Sequence, residues 1–457
     1  MRIACLFVLA LTTELSAATY FVGPGRAHTT LNQLFDDSAI DLNGGDLVLV
    51  DYAEYNGGNI ILRANDAGAP GNRLTIRGVR DGQGRRPVLR GGTNTIEFRL
   101  ANHVVFESFE VTGTGDTLTG TFRCIYHHSH DVIIRDVLVR DCPRHGILGA
   151  DTDSGSLTVE FSEIRNSGSR DGNHAIYMST DQVAYPGSVF RLQYSHVHDS
   201  QFDTAVNGGN LIKTRAERNE IYYNWLEDAF QHELELIGPD PAGVASGWTP
   251  ALAREDSDVV GNVIVHTSAT PFVIRVGGDG TSGSGDTNGR YRFVNNTIIG
   301  RSSATTLSFF RTHFGVLSLH LHNNVLWREG DGILRVWREE APTNWVSGVQ
   351  ISGSHNWIES GANFIPAGLT NTVSGADPGF TDLATLNLIP NALSPLLNAA
   401  TLGTAPPGDF INPLSIPLQH PARPYPAAAI ARPVNGMLDI GAFERGNPDN
   451  VFANGFE

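Results

Sequence analysis

One lysine stands out among the residues that could carry chemistry. The chain of 457 residues holds 32 lysines and arginines, and Lys213 is the only lysine. It lies in the segment NLIKTRAERN, beside Arg215 and Arg218. A lysine next to other cations can give up its proton near neutral pH, which an arginine cannot do. Lys213 is therefore a candidate proton acceptor, and the alternative is one more solvated charge.

Polar residues recur at equivalent positions of the neighbouring segments. A first column shares the position that opens a strand and contains His145, His174, Asn210 and His232. A second column lies three residues further on and contains Leu148, Tyr177, Lys213 and Glu235. If these segments are stacked strands, Tyr177, Lys213 and Glu235 lie about 5 Å apart. Such a column offers a base, an acid and a carboxylate together, although histidine and tyrosine stacks also occur in ordinary cores.

The segment HELEL, residues 232–236, brings two acidic side chains close together. Glu233 and Glu235 are two positions apart, so in a strand they point to the same side. Calcium prefers several oxygen ligands, and alternating carboxylates suit it. The pair predicts a calcium site, and a solvated strand face is the alternative.

An internal repeat predicts the scaffold that positions these residues. A polar turn residue followed by a β-rich apolar pair recurs along the chain, with copies that begin at Asp136, Ser162, Ser195, Asn224, Asn262, Asn296, Asn324 and Asn356. A coil of three short strands with turns of variable length fits this spacing, and such a coil buries its apolar face only against its neighbours. The sequence therefore predicts an all-β, right-handed parallel β-helix, with the polar turn residues stacked as a ladder.

The two ends of the chain differ from the repeat. Residues 1–18 have a charged start, a short apolar run and small residues at the end, which is the layout of a secretory signal peptide. The β-helix is predicted over residues 19–365, capped at its N-terminal end by the strand in TYFVGPG and a short helix in Thr30–Ser38. Residues 366–444 are rich in proline and alanine and predict an irregular region ending in a strand at Met437–Glu444. Residues 445–457 are predicted to be a flexible tail.

Charge and cysteine content limit the partners and the compartment. A net charge of −16 disfavours nucleic acid, and no stretch after the signal is apolar enough to span a membrane. Cys124 and Cys142 could form one disulfide in an oxidising compartment or remain two core thiols. We expect a secreted or periplasmic monomer.

The segments YFVGPG and DIGAFE and the Asn-rich coils resemble those of secreted bacterial right-handed β-helix proteins, many of which are polysaccharide lyases. The segment around Lys213 is similar to K-[ST]-R-A segments of that group. In β-helix lyases of the chondroitinase-B and alginate-lyase type, a lysine is the base and an arginine assists the leaving group. Lys213 and Arg215 match that pair in residue type. The resemblance implies a similar fold and an acidic polysaccharide as partner.

The main hypothesis is a lyase that cleaves a uronate-containing glycan by β-elimination. Lys213 or Tyr177 would remove the C5 proton, and Arg215 or His174 would assist the leaving oxygen or bind the carboxylate. Further substrate contacts are predicted from the polar residues Asn210, Arg218, His145 and His232. Calcium at Glu233 and Glu235 would make the C5 proton more acidic.

Two other functions remain open. No complete lyase signature is present, so a non-catalytic carbohydrate-binding or surface-associated β-helix is the alternative. A glycoside hydrolase ranks third, because the aspartate signatures of such enzymes on this fold are missing.

Overall fold

The structure is a computed structural model that describes residues 17–169, 172–238, 256–278, 287–340, 345–406, 410, 412–414, 417–421, 423, 428–433 and 436–446. The predicted signal peptide lies outside the described residues except for its last two. The predicted tail lies outside them from residue 447 onward. Among the described residues, no helix is long and apolar enough to cross a membrane.

The protein is a right-handed parallel β-helix, as the sequence predicts. Each coil passes through three sheets in the order A, B, C, and each strand pairs in parallel with the equivalent strand of the next coil. The described strands of sheet A are β1 (Thr19–Val22), β2 (Leu47–Val50), β5 (Leu74–Gly78), β8 (Val104–Glu107), β11 (Val132–Arg135), β14 (Leu157–Glu160), β17 (Val189–Gln193), β20 (Arg218–Tyr222), β23 (Asp256–Val260), β26 (Gly289–Val294), β29 (Val316–His322), β32 (Ile351–Ser354) and β34 (Leu369–Thr370).

Sheets B and C complete the coils. The described strands of sheet B are β3 (Glu54–Asn56), β6 (Val88–Arg90), β9 (Glu110–Thr112), β12 (Leu138–Cys142), β15 (Glu163–Ser167), β18 (His196–His198), β21 (Trp225–Glu227), β24 (Val263–His266), β27 (Thr297–Gly300), β30 (Val325–Arg328), β33 (Trp357–Glu359) and β35 (Val373–Gly375). The described strands of sheet C are β4 (Ile60–Leu62), β7 (Asn94–Arg99), β10 (Arg123–His128), β13 (His145–Gly149), β16 (Ile176–Ser179), β19 (Ile212–Arg215), β22 (Leu234–Leu236), β25 (Phe272–Val276), β28 (Thr306–Thr312) and β31 (Ile333–Glu339).

The period-two pattern of each strand decides which side chains form the core. In β11, Val132 and Ile134 are buried, whereas Ile133 and Arg135 on the other face are partly exposed. Successive side chains of a strand point to opposite faces, so the apolar ones of each coil meet inside the helix. Ile134 pairs in register with Phe106 of the preceding coil, and such stacks continue the core along the axis.

The predicted ladder occupies the turns between sheets A and B. Its buried asparagines are Asn224, Asn262, Asn296, Asn324 and Asn356. In each step the side-chain oxygen accepts the backbone N–H of the preceding asparagine at 2.8–3.0 Å. The side-chain amide donates to a backbone carbonyl at 2.8–2.9 Å. The ladder therefore satisfies buried backbone groups that the tight turns would otherwise leave unpaired.

The predicted N-terminal cap is present. Strand β1 is followed by helix α1 (Leu31–Phe35). Thr30 caps its N-terminus, and the Thr30 hydroxyl accepts the N–H of Gln33 at 3.3 Å. Leu31, Leu34 and Phe35 are buried. The helix thus places apolar side chains over the otherwise open end of the solenoid.

The C-terminal region covers the outer face of sheet B. Parallel pairing continues to Gly375, beyond the predicted boundary at residue 365. Two short antiparallel pairs follow, formed by β36 (Phe380–Asp382) with β37 (Asn387–Pro390) and by β38 (Gln419–His420) with β39 (Ile430–Ala431). Leu388 and Leu396 belong to one buried cluster with Trp225 and Trp327 of sheet B.

The predicted strand at Met437–Glu444 is wrong. The segment is irregular, because its backbone hydrogen bonds go to separate parts of the chain. The N–H of Ile440 donates to Leu396 at 3.0 Å, and that of Gly441 donates to Asn323 at 2.8 Å. A strand would need one neighbour along its whole length.

A disulfide joins Cys124 of sheet C to Cys142 of sheet B, which decides between the two alternatives that the sequence left open. Both cysteines are buried, and 18 positions separate them. A disulfide of this kind suits an oxidising compartment.

Candidate functional site

The residues around Lys213 lie on the outer face of sheet C. The described part of the C-terminal region packs elsewhere, against sheets A and B. Thr404 accepts a hydrogen bond from Arg292 of sheet A at 2.8 Å, and Leu414 donates its N–H to Asp258 of the same sheet at 2.8 Å. The site therefore belongs to a face of the solenoid that this region does not occupy among the described residues.

The predicted column around Lys213 is present in the strand register. Lys213 pairs with Tyr177 of the preceding coil and with Glu235 of the next. The same position continues in register on three later strands as Arg275, Arg311 and Arg338. We call the six residues from Tyr177 to Arg338 the Lys213 column.

Sequence reasoning missed the three arginines of this column. The signal was present, because the segments FVIRV, FFRT and VWRE each carry an arginine at the same strand position. Extending the alignment beyond Glu235 by three coils would have found it. The arginines place cations on three successive coils, and Arg311 and Arg338 both pair with Glu340.

Glu235 holds the cationic groups of the column in place. Its Oε2 lies 3.4 Å from Nζ of Lys213 and accepts a hydrogen bond from Nδ2 of Asn210 at 2.5 Å, while Arg275 pairs with Oε1. Burial alone would raise the pKa of Glu235, but the charges of Lys213 and Arg275 outweigh it and lower this pKa to about 2. Glu235 is therefore ionised at neutral pH and acts as a fixed counter-charge.

Arg215 contacts the hydroxyl of Tyr177. Its Nε donates to the phenol oxygen at 3.0 Å, and its Nη1 donates to the carbonyl of Gly238 at 2.8 Å. Lys213 lies 5.7 Å from the centre of the Tyr177 ring. The structure thus brings Tyr177, Lys213 and Arg215 together, and a guanidinium at this distance stabilises negative charge on the phenol oxygen.

The column of His145, His174, Asn210 and His232 forms a second ladder. Nδ1 of His145 accepts the N–H of His174 at 3.3 Å, Nδ1 of His174 accepts that of Asn210 at 3.0 Å, and Oδ1 of Asn210 accepts that of His232 at 3.2 Å. Burial lowers the pKa of His174 and of His232 to about 3, and burial lowers the pKa of His145 as well.

This second ladder limits what His174 can do. At neutral pH its ring is uncharged, and its Nδ1 is already an acceptor, so the ring proton is on Nε2. His174 can therefore donate a hydrogen bond through Nε2, but it carries no positive charge towards a uronate. Its ring lies 5.5 Å from that of Tyr177.

Arg218 is not part of this site. It begins β20 of sheet A, where its Nε donates to Glu220 at 2.9 Å and its Nη2 donates to the carbonyl of Asn412 at 3.1 Å. The chain turns between Arg215 and Arg218. Only four residues lie between Lys213 and Arg218 in the sequence, but a corner of the solenoid separates them in space.

Glu233 and Glu235 do not fit the predicted calcium site. Glu233 precedes β22 and is fully buried, where its carboxylate lies 2.8 Å from Nδ1 of His266. Burial raises the pKa of Glu233, and the cations described above occupy Glu235. In the part of the chain that the structure describes, no group of three or more His, Cys, Asp or Glu could hold a metal ion.

The fold is similar to that of solved polysaccharide lyases. The pectate lyase Pel9A has a TM-score of 0.52 at 12% identity, over 95% of this chain and 98% of that one. An alginate lyase from Paenibacillus sp. str. FPU-7 has a TM-score of 0.42 at 12% identity, over 72% of this chain and 99% of its own. The PL6 family alginate lyase AlyGC has a TM-score of 0.44 at 10% identity, over 78% of this chain and 53% of its own.

Sequence comparisons add no closer relative. No family model matches the chain, and no curated protein does. The likeness to the pectate lyase, at 12% identity, shows the fold alone. The chain is a right-handed parallel β-helix protein with a polysaccharide-lyase-like fold.

Proposed function

We propose that this protein is a secreted polysaccharide lyase that cleaves a uronate-containing glycan by β-elimination. The Lys213 column carries the proposal. It places a tyrosine, a lysine and three arginines at one position of neighbouring coils, so cationic groups recur along the axis at multiples of about 4.8 Å. An extended anionic polymer that lies along the axis would meet these cations in turn. The pectate and alginate lyases of similar fold support the same class of substrate.

The reaction needs three groups, and the column supplies candidates for each. A base takes the C5 proton, a double bond forms between C4 and C5, the bond from C4 to the glycosidic oxygen breaks, and an acid protonates that oxygen. A cation beside the uronate carboxylate stabilises the carbanionic charge that develops. Arg275 is the candidate for this contact, because it lies two coils from Lys213 on the same face.

Lys213 and Tyr177 are assigned the two proton transfers. The amine of Lys213 would accept the C5 proton, and the hydroxyl of Tyr177 would protonate the leaving oxygen. Arg215 supports the second role, because its Nε donates to the phenol oxygen and would stabilise the phenolate left behind. Transfer of the proton from Lys213 to Tyr177 would restore the starting state. Glu235 positions the lysine from the neighbouring coil.

The first experiment is a turnover assay with alginate, pectate and glycosaminoglycans, with and without calcium. We expect an increase in ultraviolet absorbance from the unsaturated uronate on at least one polymer. No increase on any of them would refute the lyase. Release of reducing ends without unsaturated product would instead indicate a hydrolase.

Matched variants test the two proton transfers. Lys213→Arg keeps the charge but loses the acceptor, so its kcat should fall about 100-fold or more, as in Lys213→Ala. Tyr177→Phe should have a loss of similar size. Tyr126→Phe is the control, because Tyr126 occupies the same strand position two coils before Tyr177. A Lys213→Arg variant with near-normal kcat would show that Lys213 only binds charge.

The ion pair of Lys213 with Glu235 supports a second candidate, a non-catalytic carbohydrate-binding protein. A lysine fixed as a cation binds uronates without moving a proton. Salt-sensitive binding of acidic polymers that Lys213→Arg preserves, with no turnover of any polymer, would favour this candidate.

A further inference from the structure

A pocket of about 980 Å³ lies beside sheet C, on the turns that connect sheet B to sheet C. Residues of β15 and residues that follow β18, β21 and β24 line it, so four consecutive coils contribute to its walls. Its lining includes Arg165, Asp199, Asp228, Phe230 and Thr270. The lining is thus rich in carboxylates, amides and hydroxyls and contains one cation and one aromatic ring. Its volume lies within the range of sites for small organic ligands.

Hydrogen bonds between the coils hold the walls of this pocket in one conformation. The hydroxyl of Ser268 donates to the carbonyl of Phe230 at 2.6 Å, and that of Thr270 donates to the carbonyl of Gln231 at 3.0 Å. The N–H of Phe230 donates to the hydroxyl of Ser200 at 2.9 Å. Three successive turns are therefore linked, and the pocket is preformed.

Two carboxylates in the wall have acceptor capacity for a ligand. Asp199 and Asp228 occupy the same turn position on adjacent coils, and both have left-handed backbone conformations, with φ of 53° and 60°. Asp199 uses Oδ2 to contact Nδ1 of His198 at 2.7 Å, and Asp228 uses Oδ1 to accept from Thr267 at 2.7 Å. No hydrogen bond from a described residue uses the other oxygen of either carboxylate.

We propose that this pocket binds a neutral sugar residue. Neighbouring hydroxyls of a sugar donate well to carboxylate oxygens, and the ring of Phe230 offers an apolar surface for the sugar's C–H face. A uronate is disfavoured, because its own carboxylate would lie against Asp228, and the cation of the lining, Arg165, already pairs with Glu163 at 3.0 Å. The pocket therefore selects against the kind of sugar that the Lys213 column selects for.

The position of the pocket connects it to the Lys213 column. Pro271 lines the pocket and immediately precedes β25, and Arg275 of the column lies four positions further along the chain, which corresponds to about 13 Å in an extended backbone. One oligosaccharide can therefore reach both places. The inference rests on the proposed function and extends it: the natural polymer contains neutral sugars as well as uronates.

Calorimetric titration of the full-length protein tests the pocket. The probes are β-1,4-linked hexasaccharides of glucose, mannose and xylose, with a glucosamine hexasaccharide as the cationic comparison. We expect at least one neutral probe to bind with a Kd in the millimolar range or below, and Asp228→Asn and Phe230→Ala to weaken that binding about tenfold or more. Asp153→Asn is the matched control, because Asp153 is also a left-handed turn aspartate, with φ of 61°, but is exposed and outside the pocket.

Three results would overturn the inference. They are no binding of any neutral probe, equal binding by the wild type and both pocket variants, or binding of the glucosamine probe alone. The turnover assay on uronate polymers is independent of this titration. If the protein forms unsaturated product but binds no neutral probe, the proposed function stands and the neutral-sugar site is refuted. If it binds a neutral probe but forms no unsaturated product, the site stands and the lyase is refuted.

Discussion

Glu235 links the charge of the candidate site to the stability of the solenoid. Its carboxylate is 3% exposed and faces both Lys213 and Arg275. The variant Glu235→Gln keeps the shape of the side chain but removes its charge. It leaves two cations without their buried counter-charge, so we expect it to destabilise the protein at neutral pH.

The magnitude follows from the pKa of Glu235. The neighbouring cations lower this pKa from 4.5 to about 2 in the folded protein, despite the opposing effect of burial. A lowering of this size corresponds to about 3 kcal/mol of free energy of unfolding. Because the folded pKa is the lower one, this stabilisation is complete above about pH 4.5 and is lost as the pH falls towards 2. Glu235→Gln should therefore cost about 3 kcal/mol at pH 7 and almost nothing near pH 2.

Urea unfolding of the wild type and of Glu235→Gln at a series of pH values from 7 down to about 2.5 measures this difference. The exposed Glu54 supplies the control variant Glu54→Gln, which should follow the wild-type curve throughout. If the free energies of unfolding of the wild type and of Glu235→Gln differ by the same amount at every pH of the series, the ion-pair explanation of the lowered pKa is wrong.

Three further predictions concern the ladder, the disulfide and the basic half of the column. Asn262→Leu leaves the buried N–H of Asn224 without its acceptor, so it should lower the free energy of unfolding, measured in urea, by about 3 kcal/mol or more. A loss below about 1 kcal/mol would contradict the role of the ladder. Replacing Cys124 and Cys142 together by alanine opens a loop of 18 residues and should lower the free energy of unfolding by about 3 kcal/mol in the same measurement. Unchanged stability would mean that the disulfide does not form in the purified protein. Arg311→Ala should raise KM for long uronate polymers several-fold and make KM less sensitive to salt, and an unchanged KM would exclude polymer from this part of the column.

The repeat and the strand register could be predicted from the sequence because both determine the residue type at particular positions. Each ladder asparagine is a polar residue just before an apolar pair, and every copy repeats the signal. Tyr177, Lys213 and Glu235 share a strand position, so counting from the turn was sufficient to align them. The prediction stopped at Glu235 because a long segment separates β22 from β25, which hides the regular spacing of Arg275.

The predictions for Glu233 and Arg218 failed for a different reason, because both depend on where a strand begins or ends. The rule that residues two apart share a face places Glu233 beside Glu235, but β22 begins at Leu234 and Glu233 belongs to the turn. Arg218 lies beyond a corner that no proline or glycine marks in KTRAER. Boundaries of this kind are set by contacts between coils, and a local pattern does not contain them.

The arginines of the solenoid lie in two kinds of environment, buried and partly exposed. On sheet A, the side chain of Arg292 is fully buried, where Asp258 neutralises it and Thr404 of the C-terminal region covers it. On sheet C, the side chains of Arg311 and Arg338 are 22% and 39% exposed, and both pair with Glu340, at 2.6 and 3.2 Å. The described part of the C-terminal region packs on the other two sheets. Under the proposed function, an anionic polymer would compete with Glu340 for these two partly exposed arginines, in a lyase and in a binding protein alike.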